Sequence, residues 1–126
     1  MGIHAITTKT GTKKYSETTQ STMIKVCDIT NSCCSTTLDR NGRNFKAGAT
    51  NVFDQPQQLG ECHDVMLDYT DELTVTMSKM GSDGWFVDWV DVTLPHDVTF
   101  HCVFRMWLDD STGYSLSSDP VKCQRS

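Results

Sequence analysis

Met80-Gly81-Ser82-Asp83-Gly84-Trp85-Phe86-Val87-Asp88-Trp89-Val90-Asp91-Val92 is the stretch that decides the fold. Two glycines bracket a serine and an aspartate, which is the composition of a tight turn. From Trp85 onward the chain turns aromatic and β-branched, as strands do. Plain alternation does not run through this strand, because Trp85 and Val87 share one parity while Val90, Val92 and Leu94 share the other. A β-bulge near Asp88 reconciles the halves: it puts all five apolar residues on one face and turns the Asp88 carboxylate outward. Gly81-Ser82-Asp83-Gly84 is one residue short of the Gly-x-Ser-x-Gly of a nucleophile elbow, and a tight turn explains it better.

Outward from this strand, similar segments recur, each cut off by Gly, Pro, Asn, Asp or Ser. Strands are expected over 3–8, 23–28, 35–38, 50–53, 63–69, 73–80, 85–94 and 98–107, with no helix of useful length. In Leu73-Thr74-Val75-Thr76-Met77 the alternation is strict, so Leu73, Val75 and Met77 should face the core. Phe100, Cys102 and Phe104 form a second inward stripe. Residues 109–120 read as a loop, and only the last few residues as disordered. The expectation is a single all-β domain over 1–126, a size at which one core can be buried.

A formal net charge of -5, from 16 acidic and 11 basic side chains, opposes any positive stripe able to follow a phosphate backbone. Nucleic acid is therefore excluded as a partner. No run reaches the length of a membrane span. The six cysteines, Cys27, Cys33, Cys34, Cys62, Cys102 and Cys123, are an even set at irregular gaps, as in a disulfide framework of an oxidising compartment. The start Met1-Gly2-Ile3-His4 has no leader pattern, which suggests a mature secreted, extracellular domain. All six cysteines are expected to be oxidised. Cys102 with Cys123 is the preferred pair, since it ties the 109–120 excursion back onto the last long strand; the other four pair among themselves, with a vicinal Cys33–Cys34 bond disfavoured by ring strain.

The Gly-rich turn leading into Trp85-Phe86-Val87-Asp88 and Val90-Asp91-Val92 resembles the signature of PLAT (lipoxygenase-homology) domains. Ile6-Thr7-Thr8-Lys9-Thr10-Gly11 resembles the family's first strand, and residues 23–28 its second. Thr37-Leu38-Asp39, Phe45-Lys46-Ala47-Gly48, Thr50-Asn51-Val52-Phe53, Phe100-His101-Cys102 and Trp107-Leu108 are similar to further landmarks, in the right order over almost the whole chain. The added cysteines are similar to those of extracellular, invertebrate-type variants. The resemblance implies a disulfide-stapled β-sandwich of two four-stranded antiparallel sheets, with no catalytic machinery. It further implies docking to proteins, lipids or membranes, sometimes with calcium.

Calcium asks for several oxygen donors from loops. The candidates are Asp68, Asp71, Glu72 and Asp83, with Asp109-Asp110 behind them. The family's calcium loops carry an Asp after the first strand and a His-Asp-Asn stretch before the Gly-Trp. Here residues 17–21 have no Asp and Ser78-Lys79-Met80 stands at the second place, so calcium is expected to bind weakly or not at all. For partner contact, the candidates are Phe53, Asp54, Ser82, Asp83, Trp89 and Trp107, with the surface expected at loops gathered at one end of the sandwich. Adjacent His63-Asp64 and His96-Asp97 do not mark a catalytic triad. The chain therefore reads as a secreted, non-catalytic module that binds a protein partner, with a membrane or lipid surface as the alternative.

Overall fold

The computed structural model describes residues 2–12, 22–38, 45–65, 72–79, 84–109 and 115–125. Eight strands form: β1 Ala5–Thr10, β2 Thr22–Cys27, β3 Cys33–Leu38, β4 Thr50–Phe53, β5 Glu72–Lys79, β6 Trp85–Leu94, β7 Val98–Leu108 and β8 Val121–Arg125. They pair antiparallel in the order β3-β2-β5-β8-β7-β6-β1-β4. The expected pair of four-stranded sheets is thus one continuous eight-stranded sheet. The reason is a short seam: Phe100 faces Arg125 and His101 faces Gln124, which joins the two four-stranded halves through β7 and β8. One buried cluster takes Ile24, Val26, Leu73, Val75 and Met77 from one half and Ile6, Phe53, Val90, Val92 and Phe100 from the other, so the sheet curls around a single core.

Alternation places β5 as expected, with Leu73, Val75 and Met77 fully buried. The bulge in β6 is real and runs across two strand boundaries. Against β1, Lys9 faces Trp89 while the next residue, Thr10, faces Val87, so Asp88 is the extra residue. Against β7, Phe104 and Arg105 together stand opposite Asp88, and Arg105 accommodates the step with φ +47°. Trp85, Val87, Val90, Val92 and Leu94 all end up in the core, as one face requires.

Aromatic packing anchors one end of the core. Trp85 stacks at 4.8 Å on Phe45, which meets Phe53 at 5.9 Å. The buried indole Nε1–H donates to Thr10 Oγ1 at 2.9 Å, giving a large side chain the one polar partner it needs. Gly11 follows because the Phe86 ring lies against it: a Cβ there would stand 2.4 Å from Phe86 Cδ1.

Three disulfides close the framework: Cys27–Cys33, Cys34–Cys62 and Cys102–Cys123. Neighbouring strand residues point to opposite faces, which separates the fates of Cys33 and Cys34. Cys34 is buried and reaches Cys62, while Cys33 meets Cys27, its registered partner across the β2–β3 hairpin. Two expectations need correction. Residues 56–63 fold as a short helix α1, Pro56–Leu59, and a 3-10 turn, Gly60–His63, so the strand expected from 63 does not begin there. Pro56 sits in the first turn, Gln55 and Gln58 exchange capping hydrogen bonds, and the Cys62 bond holds the turn against β3. The tail is a strand, because Cys123 binds it to β7 and Leu73 pairs with Cys123 from the other side.

Thr10→Val keeps the shape but strands the indole N–H, and should lower unfolding free energy by about 1–3 kcal/mol in urea titrations. A loss well below that range would mean the Trp85 bond contributes little.

Candidate functional site

The turn Pro95–Asp97 joins β6 to β7, and the register from Leu94–Val98 to Trp89–Val103 is symmetric about His96. Side chains alternate in or out together across such a hairpin. With Val90, Val92, Phe100 and Cys102 inward, the outer face receives Trp89 opposite Val103, Asp91 opposite His101, and Thr93 opposite Thr99.

These outward residues interlock. His101 Nδ1 lies 2.5 Å from Asp91 Oδ1, so the ring N–H donates to the carboxylate and its orientation is fixed. The Trp89 indole packs on the imidazole with centroids 5.5 Å apart. Val103 is 46% exposed beside them. An open groove of about 520 Å³ continues across the β7–β8 seam, lined by His101, Val103, Lys122, Gln124 and Arg125. Lys122 also reaches Glu72 at 3.6 Å, and Arg105 reaches Asp88 at 3.5 Å. The groove offers an apolar side chain, an imidazole, an amide and two cations. Among the described residues that line it there is no hydroxyl or thiol.

The sequence candidates are scattered. Phe53 is wholly buried against Phe45, which makes it a core residue. Asp54 is exposed and its carboxylate accepts from Gln55 Nε2 at 3.2 Å. Trp89 is half-buried on the outer face of β6. Trp107 packs edge-to-face on Phe86 at 5.2 Å, and a second, smaller groove of about 330 Å³ opens beside Phe86, between Gly11, Thr12, Asp88 and Arg105. Ser82, Asp83, Asp68, Asp71 and Asp110 lie outside the described residues. Glu72 opens β5 and pairs with Lys122, while a Cβ on Gly84 would stand 2.9 Å from Asp109 Oδ2. Among the described residues no three His, Cys, Asp or Glu side chains converge as metal ligands would. The Asp91–His101 pair escaped notice as a unit, although the hairpin's symmetry about His96 was the signal that would have found it.

A family model for the PLAT/LH2 domain matches residues 5–121. The chain belongs to the PLAT/LH2 family. Its landmarks meet in space: Thr10 holds the Trp85 indole, and Gly11 lies under Phe86. No curated protein sequence matches the chain. Among solved structures, coral 8R-lipoxygenase, in which calcium activation acts via a C2-like domain, superposes with a TM-score of 0.63 at 13% identity over 97% of this chain and 16% of that one. The alpha toxin of Clostridium absonum gives 0.58 at 16% identity, covering 91% of this chain and 31% of the toxin. Clostridium perfringens alpha-toxin gives 0.59 at 15%, covering 98% and 32%. At these identities the likeness is one of PLAT-type fold, and the chain spans a third or less of each of these proteins.

Trp89 contributes to the sheet chiefly through its cross-strand pair with Val103, so Trp89→Thr should lower stability by only about 1 kcal/mol while the strand persists. Chemical denaturation with far-UV circular dichroism checks this; a collapse of the fold would make Trp89 a structural residue.

Proposed function

We propose that this chain is a secreted, non-catalytic binding module that docks a protein partner on the outer face of β6, β7 and β8. The observation that carries the reading is the half-buried Trp89, packed on the Asp91-bound His101 and opposite exposed Val103, two residues that line an open groove. Protein interfaces are built this way: an aromatic anchor on a rigid element, an apolar neighbour, and a rim of Arg, Lys and amide groups. Three disulfides support an extracellular setting, and among the described residues no helix is long and apolar enough to cross a membrane. The PLAT/C2-like neighbours support a binding role, either to proteins or to lipid surfaces.

Protein is favoured over lipid because of how apolar surface is distributed. Among the described residues the exposed large apolar side chains are Met23, Ile29, Val52 and Val103, on β2, a turn, β4 and β7. Insertion into a bilayer interface needs such side chains grouped on one face. Phe86, at the end where Trp107 packs, is only 8% exposed.

Co-sedimentation with phosphatidylserine–phosphatidylcholine vesicles, with and without calcium, should leave the chain in the supernatant. Immobilised wild type should retain a protein from its native fluid that Trp89→Thr and Val103→Asp release and Thr74→Ala retains. Vesicle binding that survives both face substitutions would favour the lipid reading instead.

A further inference from the structure

The three disulfides are unequally placed. Cys34, Cys62, Cys102 and Cys123 are buried at 2% exposure or less. Cys27 and Cys33 are only half-buried, and Cys33 Sγ makes an exposed contact with Asn31 O at 3.6 Å. Thiol–disulfide exchange requires a thiolate to reach a sulfur along the S–S axis, so access decides which bond reacts.

The hairpin around this bond is also held without it. β2 and β3 share six registered pairs, from Thr22–Leu38 to Cys27–Cys33. On its other side β2 pairs with β5 over its full length. The turn has its own bonds: Asp28 Oδ1 accepts from Thr30 N–H at 2.9 Å, Thr30 Oγ1–H at 2.7 Å and Ser32 N–H at 2.9 Å, and Asp28 N–H donates to Ser32 O at 2.9 Å. The buried Cys34–Cys62 bond fixes β3 one residue beyond Cys33. Closing a loop of six residues also constrains the unfolded chain less than closing one of 21 or 28.

We propose that Cys27–Cys33 is a thiol–disulfide exchange site, opened and closed by low-molecular-weight thiols while the fold stays intact. A thiolate attacks Cys33 Sγ, the Sγ–Sγ bond breaks, and Cys27 leaves as a thiolate, giving a mixed disulfide on Cys33. A second thiolate displaces Cys33 and departs as the symmetrical disulfide of the reductant. Two electrons pass from the two thiols to the cysteine pair, and the protons those thiols gave up go to Cys27 and Cys33. Lys25, two residues before Cys27, lies on the same face of β2 as the leaving sulfur, and a nearby cation favours a thiolate. This site does not depend on the partner reading, since Trp89 stands on β6, in the other half of the sheet from β2 and β3.

The test is graded reduced glutathione on the native chain without denaturant, quenched by alkylation and read by peptide mass spectrometry. Cys27 and Cys33 should be alkylated or glutathionylated at concentrations at least about tenfold below those that touch the other four, with far-UV circular dichroism unchanged. Oxidised glutathione should restore the bond. Labelling of a buried pair at equal or lower concentration, no labelling of Cys27 and Cys33, or loss of fold in step with their reduction would overturn the proposal. The double variant Cys27→Ser/Cys33→Ser should still unfold cooperatively, and failure to fold would contradict the independence of this bond.

Discussion

β7 and β8 meet over two residue pairs and one buried disulfide, and this seam is what makes the sheet continuous. Within the sheet, β8 pairs on its other side with β5, and β7 with β6. The Cys102–Cys123 bond sits at this seam, and one buried cluster takes Ile24, Leu73 and Met77 from one side of it and Ile6, Val90 and Phe100 from the other. A covalent link whose loop spans 21 residues also removes much of the freedom the 109–120 excursion would have in the unfolded chain. The same seam sets the groove, because its lining is drawn from the outward side chains of the two strands it joins.

The bulge at Asp88 is the second constraint, and it aims the site. Without an extra residue, Trp89 would keep the parity of Trp85 and Val87 and enter the core, and Val90 and Val92 would face solvent. With it, Asp88 and Trp89 both turn outward. Bulges are common where a strand must re-aim a side chain, and here one residue inserted in β6 decides both what the core contains and what the surface displays.

Much of this was legible in the residues. The parity switch between Val87 and Val90 announced the bulge, strict alternation announced the face of β5, and the Cys102–Cys123 bond followed from the tail's return. What stayed hidden depends on long-range register. That Phe100 and His101 pair with the tail, merging two expected sheets, is fixed by geometry that local pattern does not carry. Residues 56–63 read as loop and strand because a four-residue helix has no apolar period to display, and its turn is held from outside by Cys34. Phe53 looked like a surface aromatic only because its partner Phe45 is eight residues away across a loop. Trp89 was named as a partner-contact candidate in a surface expected at loops gathered at one end, and the structure puts it on β6.

A rigid sheet face suits a binding module of this size. Side chains on paired strands lose little freedom on docking, whereas a mobile loop must be ordered at the moment of contact. The Asp91 carboxylate, the His101 ring and the Trp89 indole form a row of contacts that orients the indole in the free chain. The most direct measurement is hydroxyl-radical footprinting of the chain in an extract of its source against the purified chain in buffer. The account predicts protection of Trp89 and Val103 with Trp107 unchanged; protection of Trp107 with Trp89 unaffected would contradict it.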